Sequence, residues 1–320
     1  MKKTKTFVRA ICAALLVSSS VSAVFAGRED VGTSAAAFLK IGPGARPAAM
    51  AEAQTAVSDD VNSIFHNPAG LAAVGGFEFT AQYGMHFQSI AYNVLGVAYP
   101  VGKVGTFGIG VVNLAVNAIE RRTQDAALAE GDFAAGDYAY VLSYGRKICE
   151  RVSAGANVKY LYSTIDDRSA SAVAADAGII ARPIDGSPLS VGVAAQNLGG
   201  EMKFDALGDP LPAVYKLGLG YRFSGYSDPG YGFLVAIDVA APRDNATRFS
   251  AGMEYSRKID HNFSAAVRYG YKTVSDEKLD GLAGLSAGAG VVFRQFKFDF
   301  AWVPYGLLGD SFRYALSVKF

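Results

Sequence analysis

Over most of its length the chain alternates, residue by residue, between apolar and small or polar side chains. A period of two is what a β-strand makes when its two faces meet different environments. Phe77, Phe79, Ala81 and Tyr83 alternate with Glu78, Thr80 and Gln82, and Tyr215, Leu217, Leu219, Tyr221 and Phe223 with Lys216, Gly218, Gly220 and Arg222. Val152, Ala154, Ala156, Val158, Tyr160 and Tyr162 alternate with Ser153, Gly155, Asn157, Lys159 and, as the one apolar exception, Leu161. Phe296 to Trp302 and Phe312 to Phe320 repeat the pattern. No helix accommodates it, and the 36 glycines among 320 residues weigh further against helices, since each costs about 1 kcal/mol in a helix interior.

About fourteen such runs are legible, near 77–83, 90–99, 104–115, 137–144, 152–162, 173–181, 189–196, 215–223, 232–239, 248–255, 262–271, 285–293, 296–302 and 312–320. Their length and even number predict a closed antiparallel transmembrane β-barrel of the bacterial outer-membrane kind. A soluble β-sandwich also alternates. Two features favour the barrel. Tyrosines such as Tyr83, Tyr99, Tyr160, Tyr221, Tyr255 and Tyr269 gather toward strand ends, as interfacial girdles do, and the opposite face carries Gly, Ser, Ala and charge. Connections alternate between short (100–103, 182–188, 294–295) and long, with 116–136 and 197–214 the longest. Short turns belong on the periplasmic side and long loops outside, which puts the C-terminus in the periplasm. There Tyr314, Leu316, Val318 and the terminal Phe320 resemble the aromatic signal read by the outer-membrane assembly machinery.

The first 26 residues read as a secretory signal peptide: Lys2, Lys3, Lys5 and Arg9 precede an apolar, small-residue run ending at Ala26. That run is shorter than the ~20 apolar residues of a membrane span and is diluted by four serines. Without its four cations the chain keeps 26 basic and 29 acidic residues, so nothing in the balance attracts nucleic acid. Only Cys149 remains, which excludes an intramolecular disulfide and a cysteine-based zinc site. His66, His86 and His261 show no metal spacing, the latter two falling at strand ends where they are expected to be interfacial or solvated. Gly284-Leu285-Ser286-Ala287-Gly288 matches a nucleophile elbow, but that motif needs a strand-to-helix turn and here lies within an alternating run. A non-enzymatic protein without cofactor or metal is expected.

Residues 27–76 lack the period of two. A short helix is expected over 48–56 after Pro47, a turn or cap at Asp59-Asp60, and a helix start at Asn67-Pro68 with Asn as N-cap and Pro at the first helical position. Ahead of a barrel over 77–320, such a segment reads as a hatch folded into the lumen; the alternative is a periplasmic tail. Lys40, Arg46, Asp59, Asp60, His66 and Asn67 are its polar residues. Inside a narrow lumen they need partners, because an unpaired buried charge costs several kcal/mol. Arg46 with Asp59 or Asp60 is the expected pair, and the group either locks the segment or gates it.

Phe38-Leu39-Lys40-Ile41-Gly42-Pro43-Gly44-Ala45-Arg46, Ala56-Val57-Ser58-Asp59-Asp60 and Ile64-Phe65-His66-Asn67-Pro68-Ala69-Gly70-Leu71-Ala72 resemble the N-terminal signature of the PorV/PorQ family of outer-membrane proteins, itself similar to FadL-type transporters of hydrophobic compounds. The resemblance implies a hatch within a fourteen-stranded barrel, with Asn67, Pro68 and Ala69 part of that hatch. It also implies transport across, or delivery to, the outer membrane. Some proteins with this signature serve type IX secretion by handing exported cargo to a surface-attachment complex; FadL-type uptake of hydrophobic small molecules, or a structural or adhesive surface role, are the other readings. The partners implied are outer-membrane lipid, the assembly machinery, and either secreted cargo proteins or a hydrophobic small molecule.

Overall fold

The computed structural model describes residues 31–86, 90–122, 128–184, 186–224, 230–274 and 282–320. The segment read as a signal peptide lies outside the described residues. The strands are β1 (Glu78–Met85), β2 (Ala91–Val101), β3 (Gly105–Glu120), β4 (Asp132–Cys149), β5 (Val152–Ile165), β6 (Arg168–Ala181), β7 (Leu189–Gly199), β8 (Glu201–Met202), β9 (Asp209–Pro210), β10 (Val214–Ser224), β11 (Tyr231–Pro242), β12 (Arg248–Lys258), β13 (Phe263–Lys272), β14 (Leu285–Phe293), β15 (Phe296–Pro304) and β16 (Asp310–Lys319). Fourteen of them form a closed antiparallel barrel in chain order, β16 pairing with β1, while β8 and β9 make a separate two-stranded ladder.

Every run read from the sequence is one barrel strand, and the alternation sorts the two faces. Leu95, Ile109, Leu142, Val158, Val173, Val193, Ile237, Met253 and Val267 are exposed on the outside, flanked by exposed Tyr83, Tyr99, Tyr160, Tyr255 and Tyr269. Asn157, Lys159, Asp176, Asp238, Glu254, Arg268, Asp299 and Arg313 are buried inside. A soluble protein does the reverse with these residue types; apolar outside and polar inside is the arrangement of a transmembrane barrel.

The differences lie at strand ends. About half of the long loop expected over 116–136 is ladder, because β3 runs to Glu120 and β4 starts at Asp132, with a register shift between Val116 and Ile119 where Ala118 takes a positive φ of 55°. That bulge breaks the alternation, which is why the ladder's extension is not legible as a period of two. Likewise β5 and β6 continue to a turn at 166–167, and the expected loop over 197–214 contains the β8–β9 ladder. Turns at 102–104, 150–151 and 294–295 surround one mouth of the barrel, where the chain also ends. The loops at 200–213 and 305–309 surround the other.

Inside lies the N-terminal segment. It consists of a 3-10 turn at Ala37–Lys40, helix α1 (Ala45–Ala49), helix α2 (Ser63–His66) and a 3-10 helix at Pro68–Ala73. The helix expected over 48–56 instead occupies 45–49, and Ala51 and Glu52 carry positive φ of 52° and 64°. Pro47 sits in the first turn, where its missing N–H leaves no intrahelical bond unmade. Beyond the helix the chain turns to the wall: the Ala51 N–H donates to the Ser286 hydroxyl of β14 as well as to the Ala48 carbonyl, and the Gln54 and Thr55 N–H groups donate to Asp238 of β11.

Candidate functional site

The site is the seam between the N-terminal segment and the inner wall, and it has two unlike sides. On one side the segment's backbone approaches β4, β5, β6, β7 and β10 closely. Asn67 forms the predicted cap, its side-chain oxygen accepting from the Ala69 N–H at 3.2 Å with Pro68 at the first position. Its amide nitrogen then donates to the Thr55 carbonyl at 2.7 Å and, more weakly, to the carbonyls of Ile179 and Val193 on the wall. Asn157 donates to the Ile64 carbonyl at 2.8 Å, and Gln196 to the Phe65 and His66 carbonyls, both at 2.9 Å. Such proximity requires wall positions without side chains. A Cβ at Gly145 or Gly155 would collide with the Pro68 backbone, one at Gly178 with the Asn67 side chain, and one at Gly192 with Thr55.

On the other side Gly252 and Gly270 likewise admit the Met50–Ala51 backbone, and ionic contacts are added. Arg46, on α1 and buried, reaches Asp59 at 2.6 Å, Asp60 at 3.6 Å and Glu254 of β12 at 2.8 Å. Each of those carboxylates has a second cation. Arg222 holds Asp59 at 2.7 Å, Lys297 holds Asp60 at 3.6 Å, and Arg268 holds Glu254 at 2.6 Å while also meeting Asp299 at 2.8 Å. Arg46, Arg222, Arg268 and Lys297 are thus balanced by Asp59, Asp60, Glu254 and Asp299, so the network brings little net charge into the lumen. Burial pushes the Asp60 carboxyl up, but Lys297, Arg46 and hydrogen bonds from Asn62 outweigh it and bring it down to about 2. The Arg46 guanidinium, which burial alone would disfavour, is held charged by Asp59 and Glu254.

Toward the long-loop mouth the seam turns apolar. Phe38 is buried with Ala36 in a cluster that includes Val112, Val141, Leu161 and Ala172 of the wall and Met202 and Leu211 of the loop between β7 and β10, with Leu39, Ile41 and Leu114 at the edge. Leu161, the exception in the alternation, is fully buried there. Lys40 and Ser34 are bonded to Asp244, Tyr92 donates to the Ile41 carbonyl at 2.7 Å, and Arg313 donates to the Gly42 carbonyl. His66 meets the Pro43 carbonyl at 2.6 Å through Nε2. Burial and then Lys216 lower its pKa to about 4, so it is neutral at physiological pH and donates this bond.

Arg46, Asp59 and Asp60 therefore meet one another, whereas Asn67, Pro68 and Ala69 serve the opposite, backbone-tight side. The wall partners Glu254, Arg268, Lys297, Asp299, Asn157, Gln196 and Asp238 were not singled out from sequence. Their signal is a charged or carboxamide side chain on the lumen-facing phase of a strand. Tyr314 and Leu316 face outward and exposed on β16, Val318 is half-buried, and Phe320 is 73% exposed, its N–H donating to the Phe77 carbonyl. Ser286, the serine of the Gly284–Gly288 motif, donates to the Ala49 carbonyl and accepts from the Ala51 N–H, and it lies within β14 rather than at a strand-to-helix turn. His86, expected to be solvated, is instead buried beside Tyr92 and Tyr305, because it caps β1 on the lumen-facing phase.

A closed fourteen-stranded barrel with its N-terminal segment wound through the lumen defines the class of this chain by fold. Solved structures share it. The Ralstonia pickettii toluene transporter TbuX is 12% identical, with a TM-score of 0.57 over 87% of this chain and 98% of that one. The Pseudomonas putida toluene transporter TodX is 12% identical, with a TM-score of 0.55 over 86% and 96%. A Pseudomonas aeruginosa FadL homologue is 12% identical, with a TM-score of 0.56 over 87% and 98%. At such identity the likeness is one of fold. No family model and no curated protein matches the sequence.

Proposed function

We propose that the chain is an outer-membrane transport protein whose N-terminal segment is a hatch, and that its substrates are small hydrophobic molecules. The observation that carries this reading is the apolar cluster toward the long-loop mouth, where Phe38 of the N-terminal segment is buried with Val112 and Leu161 of the inner wall and Met202 and Leu211 of the loop between β7 and β10. Porin interiors, which pass ions, are polar instead. Burying a phenylalanine side chain contributes about 1.5–3 kcal/mol, a hold that a competing apolar molecule can match. The likeness to toluene transporters over nearly their whole length supports the same reading.

Delivery of secreted proteins is the second reading, favoured by the segments that resemble the PorV/PorQ signature: Arg46, Asp59, Asp60 and Asn67 within them make the seam's main contacts. The deciding experiment is passage of a monoaromatic hydrocarbon into liposomes holding the full chain, beside the same chain lacking residues 31–76. The intact protein should pass hydrocarbon while conducting almost no ions, and the truncated one should conduct as an open pore. If the intact protein passes no hydrocarbon and instead co-purifies with secreted cargo, delivery replaces uptake. If truncation leaves ion conduction unchanged, the segment is not a hatch.

A further inference from the structure

Among the described residues, two clefts of similar size at the short-turn mouth share Asp59 and differ in how their charges are paired. One, of about 550 Å³, is lined by the ionic network, Arg46, Asp60, Glu254, Arg268 and Lys297 among its residues, whose charges answer one another. The other, of about 520 Å³, has a floor of small hatch residues, including Ala69, Gly70 and Ala73, and its charged residues are Lys147, Arg151, Arg182 and Arg222 against Asp59 and Glu150, an excess of cations. Arg222 is committed to Asp59. Neither Lys147 nor Arg182 makes an ion pair among the described residues.

The strand register puts these cations inside the mouth rather than on the lipid side. Lys147 continues the inward phase of Ser143 and Gly145, Arg182 that of Asp176 and Gly178, and Arg222 that of Gly218 and Gly220. The bilayer's headgroups therefore do not face them. Lys147 and Arg222 stand on β4 and β10 and Arg182 directly follows β6; these strands alternate with β5 and β7 in the barrel. Every second strand means a separation of about 10 Å, too wide for one phosphate or carboxylate to bridge. A chain in polyproline II conformation repeats every three residues at roughly 3.1 Å each, so acidic side chains three apart fall on one face about 9 Å from one another.

We propose that this cleft binds an extended acidic segment of a partner protein, laid across β4, β6 and β10 over the hatch floor. The assignment does not depend on what crosses the lumen. The test is fluorescence anisotropy on the detergent-solubilised full chain, with labelled peptides of repeated Glu-Pro-Pro and of repeated Gln-Pro-Pro. The glutamate peptide should bind at least about tenfold more tightly, and added salt should narrow the gap. The double variant Lys147→Glu, Arg182→Glu should lose that advantage while keeping heat-modifiable migration and hatch closure, since neither residue holds the hatch. Arg146→Glu, one residue away on the opposite phase of β4, should bind as the parent does. Equal binding of the two peptides, or an equal loss from Arg146→Glu, overturns the proposal. So does displacement of the peptide by inorganic phosphate at the peptide's own concentration, which would make the cleft a small-anion site.

Discussion

The two sides of the hatch are held by different means. Against β4 to β7 and β10 the fit is steric: backbone lies on backbone, glycines open the wall, and Asn67 bonds both to its own segment and to the wall. Against β12, β13 and β15 charge is added to close approach: Gly252 and Gly270 also admit the Met50–Ala51 backbone, but here Arg46 ties the segment to the wall, and each carboxylate that it touches is also held by another cation, Arg222 on β10 among them. Sterically tight contact tolerates no added atom, because interiors are close-packed. A redundant charge network tolerates the loss of a member, because the remaining partners still neutralise the charge. One side is therefore expected to act as a fixed anchor and the other as a yielding clasp.

Gly155→Leu should test the anchor most severely. Its side chain would run into the Pro68 backbone, which has nowhere to go, at a cost at or above the ~1–3 kcal/mol of ordinary overpacking. Steady ion conduction in planar bilayers and protease cleavage within 67–73 are expected; a closed, resistant protein would mean that the steric contact is dispensable. Asn67→Ala should come next. It removes the cap and the donors to Thr55, Ile179 and Val193, together about 2–3 kcal/mol, and should give long-lived openings.

Arg46→Ala should do less, about 1–2 kcal/mol, below the ~3–5 kcal/mol of breaking a buried pair that has no other support. Brief flickers are expected rather than steady current. If Arg46→Ala opens the barrel as fully as Gly155→Leu does, the distinction between anchor and clasp fails.

Acid sharpens the comparison at the smallest scale. His66 has a folded pKa lowered from 6.5 to about 4, so between these values the undocked state binds more protons and docking weakens as pH falls, by at most about 1.4 kcal/mol per pH unit. Asp60, lowered from 3.8 to about 2, contributes docking stability above its ordinary pKa that is lost only as pH falls through that lower window. Flickering should therefore begin below pH 6.5, through His66 rather than the carboxylates. His66→Gln should abolish that onset; if the onset persists in this variant, the clasp titrates before the histidine does.

The barrel was legible in the sequence because a strand's faces have a period of two, and a membrane on one side with a lumen on the other prints that period directly onto residue type. The runs at 77–83, 152–162 and 312–320 each map onto one strand, and the Asn67-Pro68 helix start was equally readable, since a cap is local chemistry between neighbours in the chain. What the sequence could not show is which glycines are spacers. Gly155 and Gly178 read as part of a small-residue lumen, yet they are empty because Pro68 and Asn67 lie against them from far away in the chain. The same holds for Arg46. Its charge demanded an acidic partner, and Asp59 and Asp60 were near enough in sequence to be named, but Glu254 lies 208 residues away. Its place beside Arg46 is decided by closure of the barrel, which brings β12 around to face α1. Alternation is a property of each residue and its immediate neighbours, whereas contact between hatch and wall exists only once fourteen strands have closed around the segment that fills them.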